Sequence, residues 1–208
     1  MQEKINELLR GYTGDAYKYF AQLGGHRNFL ENFGRILEDH GKGLLDILGD
    51  FEGSRYPSET DVGTYEKTYS WFFHHHDHEK NERGHFHLFA SPSVFDDNTA
   101  TEKTHIIAIE LTTNGDFHGF FVPNRWVTKD QLRPVRYILS ILRNFHTNNS
   151  DHPDCINVWL SAILLEFEDV VQELLEQRDL YLSKLSPVNR NKYLENEEIE
   201  RICERIIQ

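Results

Sequence analysis

Residues 65–73 read Tyr-Glu-Lys-Thr-Tyr-Ser-Trp-Phe-Phe, and residues 84–89 read Gly-His-Phe-His-Leu-Phe. Along both stretches the side chains alternate with a period of two, which is typical of a half-buried β-strand. Residues 105–112 and 117–122 predict two more strands, and Asn114-Gly115 between them suits a two-residue type I′ hairpin. We therefore expect an antiparallel meander of about four strands within residues 64–123.

Apolar residues recur at helical spacing on both sides of this meander. Before it, residues 1–50 predict two or three helices, followed by a loop from Gly49 to Gly63. After it, residues 128–208 are expected to be helical. Together the patterns predict an α+β fold, a single domain over residues 1–208 whose C-terminal helices pack on one face of the sheet.

Three helices are expected in the C-terminal part. Thr128-Lys129-Asp130-Gln131 has the form of a capping box and predicts a helix that runs to about Phe145. Asp151-His152-Pro153 predicts the start of a long amphipathic helix. The last helix is indicated by apolar residues at helical spacing: Ile199, Ile202, Cys203 and Ile206.

The composition is that of a globular protein with a substantial core. The chain has 208 residues, 38% of them hydrophobic, and a formal net charge of -12. That charge repels phosphate backbones, so nucleic acid is not an expected partner. No basic and apolar leader and no apolar run of about 18 residues is visible, so we expect a cytoplasmic protein without a membrane partner.

Histidines concentrate in the region of the first two predicted strands. On the first strand Trp71 and Phe73 define the apolar face, so His74 and His76 face the other way. On the second strand Phe86 and Leu88 define the apolar face, and His85 and His87 face away from it. If His76 pairs with His85 and His74 with His87, all four imidazoles share one face, with paired Cβ atoms about 4.5–5.5 Å apart.

Four imidazoles within that reach predict a transition-metal site. Zinc and iron are the ions that we expect, and a set of two histidines and one carboxylate with open positions would suit iron(II). Carboxylates near the histidines are Asp77, Glu82 and Glu110. The pattern leaves open whether His78, His105 or His118 joins the site.

The predicted hairpin constrains the third and fourth strands. With Asn114-Gly115 as the turn, Leu111 faces His118 and Glu110 faces Gly119. Glu110 and His118 then lie on opposite sides of the sheet unless a bulge intervenes. The apolar residues of these strands favour placing Glu110 with the histidines and His118 with the core.

The histidine region resembles two kinds of known sequence. His76-Asp77-His78 followed by Glu82 has a limited resemblance to the metal-binding first motif of cupins, but no second cupin motif follows Gly115. Over most of its length the chain resembles an uncharacterised bacterial family, a domain of unknown function. That resemblance is carried by Glu82-Arg83-Gly84-His85-Phe86-His87-Leu88-Phe89, His105-Ile106-Ile107-Ala108-Ile109, Asn124-Arg125-Trp126-Val127-Thr128, Trp159-Leu160 and Arg178-Asp179.

A histidine often stands in that family where this chain has Arg83. The resemblance implies that five residues matter, without implying an activity: His85, His87, Asn124, Arg125 and Trp126.

Two functions compete at this stage. The first is a metal-dependent hydrolase or oxygenase in which Glu82 is a general base or extra ligand and Arg125 holds an anionic group of a small-molecule substrate. The second is a non-catalytic module in which the histidines bind metal or respond to pH. A polar sheet face with no ligand is the third alternative. An open coordination position favours the first, and a closed four-histidine site without a cleft favours the second.

Overall fold

The computed structural model describes residues 1–49, 55–57, 60–64, 68–75, 82–95, 101–146 and 154–207, with residues 82 and 83 described for their backbone only. Within these ranges the chain is an α+β protein, with an antiparallel sheet of seven strands and several helices. The predicted fold class is confirmed. The predicted number of about four strands is too low.

The N-terminal part is helical, as predicted, but it has four described helices where two or three were expected. Its described helices are α1 (Gln2–Leu8), α2 (Ala16–Leu23), α3 (His26–Asp39) and α4 (Leu45–Leu48). The side chain of Asp15 caps α2 by accepting a hydrogen bond from the Lys18 amide at 3.0 Å, and Gly24 ends the helix in the left-handed conformation.

The sheet contains the predicted meander and three further strands. The strands are β1 (Arg55–Tyr56), β2 (Val62–Gly63), β3 (Tyr69–His74), β4 (Glu82–Ala90), β5 (Thr104–Thr112), β6 (Phe117–Pro123) and β7 (Arg201–Ile206). Their order is β1-β3-β4-β5-β6-β7, and β2 also pairs with β3. The meander is β3 to β6, whereas β1 and β2 fall in the segment predicted to be a loop.

The C-terminal helices differ from the prediction in their bounds. They are α5 (Arg125–Thr128), α6 (Val135–Leu142), α7 (Asp154–Glu166), α8 (Glu168–Ser183) and α9 (Pro187–Leu194). The capping-box prediction is wrong because the Asp130 carboxylate accepts hydrogen bonds from the His105 amide and the Thr128 hydroxyl, and α6 begins only after Pro134. The long amphipathic helix is divided at Phe167 into α7 and α8.

The last predicted helix is in fact strand β7. Its backbone pairs with β6 from Gly119 to Pro123. A side chain at Gly119 would overlap the carbonyl oxygen of Arg205, so glycine permits this close approach. The helical pattern of apolar residues covers only residues 199–206. The backbone N–H and C=O groups along the edge of β6 favour pairing with a strand, and this effect outweighs so short a pattern.

The two faces of the sheet have different neighbours. One face is apolar and packs on α7, where the Trp71 indole N–H donates to the side-chain oxygen of Asn157 at 2.8 Å and the Phe86 and Trp159 ring centroids are 5.9 Å apart. The opposite face carries the histidines. Among the described residues, none of the helices has both the length and the apolar character that a membrane crossing needs.

Candidate metal centre and its cavity

The pairing of β3 with β4 brings histidines together in a register that differs from the predicted one. His74 pairs with His85, and Phe72 pairs with His87. The predicted pairing of His74 with His87 is wrong by two residues, because the period of a strand determines which face a side chain occupies but not its partner. A shift of two preserves the face, so His74, His85 and His87 still lie together. His76 and His78 lie outside the described residues.

The three histidines could hold one metal ion. Their ligand nitrogens all lie within 4.8 Å of one another. The ring centroids of His85 and His87 are 4.6 Å apart, and those of His74 and His85 are 5.5 Å apart. A tetrahedral ion with bonds of about 2.0–2.1 Å separates its ligands by roughly 3.3 Å, so the rings would move inward by up to about 1.5 Å on binding.

The three rings differ in exposure. His85 and His87 are buried, with 4% and 1% of their surface exposed, while His74 is half-buried at the end of β3. Two of the three candidate ligands are therefore fixed by packing, and His74 is the ring with most room to adjust.

A β-bulge brings a fourth histidine to the same face. The register between β4 and β5 shifts between Leu88 and Phe89, so that Phe89 pairs with His105 and Ile106 is the extra residue. Without the bulge, His105 would point to the apolar face. With it, the nitrogen Nε2 of His105 lies 3.0 Å from Nδ1 of His87.

The hydrogen bond between His105 and His87 is of the kind that positions a metal-binding histidine. Burial lowers the pKa of His105 from 6.5 to about 4, although Asp130 opposes the shift, so this imidazole is neutral at neutral pH. A neutral His105 can accept the Nδ1 proton of His87, and an ion would then be bound through Nε2 of His87. A hydrogen bond of this kind fixes the tautomer and orientation of a ligating histidine.

Substitution of His105 is therefore expected to weaken zinc binding. We expect His105→Phe, which keeps a ring but removes the acceptor, to lower zinc affinity by about 10- to 100-fold. His105→Gln, which retains a hydrogen-bonding group, should recover part of the loss. Competition with a chromophoric chelator measures the affinities, and urea unfolding of the metal-free variants serves as the control for stability. Equal affinity in the parent and His105→Phe would contradict this role.

Glu110 lies beside the histidines, as predicted, but is bound to an arginine. It pairs with His85 across β4 and β5, and only 7% of its surface is exposed. The guanidinium of Arg201 donates to both carboxylate oxygens, at 3.0 and 3.3 Å. Glu110 is also not part of the group of ligand atoms that the three histidines form.

The connection between β5 and β6 is not the predicted two-residue turn. The Thr112 amide donates to the Asp116 carbonyl at 2.8 Å, and the Gly115 amide donates to the Thr112 carbonyl at 2.9 Å. Three residues lie in the loop, and Gly115 has a φ of +84°. This is the pattern of a type I turn followed by a left-handed glycine.

The longer loop changes the position of His118. Leu111 pairs with Phe117 and Glu110 with Gly119, so His118 is the extra residue of a β-bulge. The expectation that His118 points to the core is therefore wrong, because Phe117 packs there instead. His118 and Glu110 line the same cavity.

This cavity extends from the three histidines to the C-terminal strand and has a volume of about 860 Å³. Its walls come from β3, β4, β5, β6, α5, β7 and the segment before β7. The lining residues are His74, His85, His87, Glu110, His118, Phe121, Pro123, Trp126, Val127, Glu197, Glu198, Glu200, Arg201, Glu204 and Ile206. A volume of this size lies in the range of small-molecule sites, about 300–1,000 Å³.

Asn124, Arg125 and Trp126 hold the segment that forms one side of the cavity. The side-chain amide of Asn124 donates to the carbonyls of Tyr193 and Ile199 at 2.9 and 3.0 Å. The Trp126 indole donates to the Ile199 carbonyl at 2.7 Å. Arg125 forms an ion pair with Glu195 at 2.6 Å and is not among the residues that line the cavity.

Glu82 and the pair Arg178-Asp179 are the remaining residues that the sequence singled out. Glu82 is the first residue of β4 and pairs with Thr112, but its side chain lies outside the described part of the chain. Arg178 is 2% exposed and binds Asp179 and the carbonyl of Arg133, so this pair anchors the segment before α6.

Sequence reasoning missed Arg201 and the glutamates at 197, 198, 200 and 204. The acidic run at 195–200 is visible in the sequence, but no motif ties it to the histidines.

Comparison with known proteins gives a match at the level of a family. The sequence model of a family described as a domain of unknown function matches residues 33–207. No curated protein and no solved structure matches the chain.

Proposed function

The chain belongs to the family described as domain of unknown function DUF6969, and we propose that it is a metal-dependent hydrolase with a zinc ion held by His74, His85 and His87. The observation that supports this proposal is the position of the three histidines on the wall of a cavity of about 860 Å³. Three protein ligands leave one position of a tetrahedral ion for water or substrate, which is the arrangement of catalytic zinc sites.

The donor set favours zinc over iron. Three neutral imidazoles with an open position are a known zinc set, whereas iron(II) oxygenases use two histidines and a carboxylate. The carboxylate of Glu110, which pairs with His85 across the sheet, is engaged by Arg201. A zinc ion in such a site lowers the pKa of a bound water to about 7 and polarises a carbonyl group.

The protein's own residues would support this chemistry in three ways. His105 orients His87 through their hydrogen bond. Arg201 holds Glu110 beside the ion and compensates its charge. Glu82 remains our candidate for the general base, because a register shift before Gly84 pairs it with Thr112, two residues from Glu110 on β5.

Arg125 is not proposed to hold an anionic group of the substrate, because it does not line the cavity. Its ion pair with Glu195 supports a positioning role for the segment before β7.

Elemental analysis of untagged protein tests the proposal. The parent, purified without chelator, is expected to contain close to one zinc ion per chain, and the double variant His85→Ala, His87→Ala should contain almost none. The matched control is His40→Ala, His146→Ala, which removes two histidines that do not line the cavity. The proposal fails if the parent holds no metal and takes none up on titration with zinc, iron(II), copper or nickel.

A second measurement separates catalysis from metal storage or sensing. Hydrolysis of 4-nitrophenyl acetate by the zinc-loaded protein should be lost with chelator, restored by zinc and reduced in Glu82→Gln. Zinc bound at full stoichiometry without turnover of this or other ester and amide probes would favour the non-catalytic module.

A further inference from the structure

The cavity beside the histidines has a strongly acidic wall. Among the described residues that line it, five are glutamates and one is an arginine. The glutamates are Glu110, Glu197, Glu198, Glu200 and Glu204. A cleft lined by charge of one sign raises the local concentration of ligands of the opposite sign.

The arginine in this wall is already engaged. Arg201 binds both oxygens of Glu110 and one oxygen of Glu204, the latter at 2.9 Å. Its guanidinium carbon also lies 4.1 Å from the centre of the Phe121 ring. An anionic ligand would have to displace these contacts, so Arg201 neutralises the inner part of the cavity and does not offer an anion site.

Three glutamates at the outer rim are different. Glu197, Glu198 and Glu200 are exposed, and none of their carboxylates has an ion-pair or hydrogen-bond partner among the residues that the structure describes. Their backbone is nevertheless held in place. The Glu200 carbonyl accepts a hydrogen bond from the backbone N–H of Asn124 at 2.7 Å, and the backbone N–H of Glu198 donates to the side-chain oxygen of Asn196 at 3.0 Å. We call these three residues the glutamate rim.

An aromatic wall adjoins the glutamate rim. Trp126 lines the cavity, and its indole N–H is held by the Ile199 carbonyl, next to Glu200 in the chain. An indole face attracts an organic cation, with a contribution that grows as the cation loses water. Val127, Pro123 and Ile206 add apolar surface for the alkyl part of such a ligand.

We propose that the cavity selects organic cations, namely ester or amide substrates that carry an ammonium or guanidinium group held by the glutamate rim. The inference rests on the proposed function, because the three histidines define the reacting end of the same cavity. Hydrolysis adds water across the ester or amide bond: the hydroxyl joins the carbonyl carbon, and a proton goes to the departing oxygen or nitrogen. The substrate's cationic group takes no part in that step and serves recognition.

Calorimetric titration with spermidine tests the selectivity without turnover. The metal-free parent should bind spermidine and should not bind glutarate, a dianion of comparable size. The triple variant Glu197→Gln, Glu198→Gln, Glu200→Gln is expected to bind spermidine about tenfold more weakly, and the parent's affinity should fall as salt rises.

The matched control has the same net charge as the triple variant. It replaces three exposed glutamates of α1 and α3, in the changes Glu3→Gln, Glu31→Gln, Glu38→Gln. We expect its spermidine affinity to stay within about twofold of the parent's, because distant exposed charges are screened. Equal weakening in the two triple variants would show attraction to the overall charge only and would overturn the proposal, as would preferential binding of glutarate.

Zinc content, measured on the same preparations, keeps the two proposals apart. Rim-dependent spermidine binding by a protein that takes up no metal would leave the cation selectivity in place and refute the hydrolase. Zinc uptake without rim-dependent spermidine binding would refute the cation selectivity alone.

Discussion

Gly84→Ala is expected to lower the free energy of unfolding by about 3 kcal/mol or more and to weaken zinc binding at the same time. Gly84 has a φ of +143°, which a residue with a side chain rarely adopts. A side-chain carbon there would also overlap the carbonyl oxygen of His74 and the ring of Phe73 on the neighbouring strand. Relief of that overlap must move β3, and His74 is one of the three candidate ligands.

Gly34→Ala provides the control for this substitution. Gly34 lies inside α3, and a side-chain carbon there would have no neighbour within 4 Å. Alanine should therefore raise the free energy of unfolding by about 0.5–1 kcal/mol through its helix propensity. Urea unfolding followed by tryptophan fluorescence gives both values, and chelator competition gives the zinc affinities. A Gly84→Ala protein as stable as the parent would show that β3 and β4 do not require glycine at this position.

Asn124→Ala is expected to cost about 2–4 kcal/mol of stability and to loosen the glutamate rim. Asn124 is fully buried, and its side chain donates to the carbonyls of Tyr193 and Ile199 while it accepts the Arg125 amide at 2.9 Å. Alanine leaves the Tyr193 carbonyl and the first amide of α5 without these bonds. Because the segment that carries the rim loses the side-chain bond to the Ile199 carbonyl, spermidine affinity should fall as well.

Two further variants show which part of Asn124 matters. Asn124→Asp keeps the acceptor for the Arg125 amide but points its second carboxylate oxygen at two carbonyls, so we expect it to be at least as destabilising as alanine. Asn32→Ala is the control, because Asn32 is exposed and donates to the Asn28 carbonyl alone; a change within about 0.5 kcal/mol is expected. If Asn124→Asp unfolds like the parent, the two carbonyl bonds do not stabilise the protein.

The sequence correctly predicted the features that depend only on the alternation of side chains along a strand. Trp71, Phe73, Phe86 and Leu88 identified the buried face, and the shared face of His74, His85 and His87 followed from them. The same period could not determine the register, because a shift by two residues leaves every side chain on its face.

Irregular backbone explains why the sequence left the position of His105 open and gave the wrong face for His118. His105 and His118 both reach the histidine face through β-bulges, each of which adds one residue to one strand and reverses the alternation beyond it. The bulge at Ile106 has no signature in the residues around it, whereas Gly119, inside β6 and next to His118, is a residue type that often marks a bulge. The three-residue loop at Gly115 also resembles a two-residue turn in sequence, because glycine is favoured in both.

The remaining part of the cavity depends on contacts between distant segments. Arg201 approaches Glu110 only because β7 pairs with β6, and the apolar spacing around Ile202 indicated a helix instead. The glutamate rim can be recognised in the sequence as an acidic run. Such a run has no periodic pattern, however, so the sequence does not indicate which surface of the protein it occupies.

The pairing of β6 with β7 also sets an order of events during synthesis. The histidine strands β3 and β4 are neighbours in the chain, so their alignment needs only a local hairpin, whereas β7 begins over a hundred residues after β4 ends. At about 5–20 residues per second, a ribosome makes the second segment roughly 5–20 s after the first. Pairing of the histidine strands is thus a low-contact-order step that needs only chain made early, whereas the segments that carry Arg201 and the glutamate rim are added late.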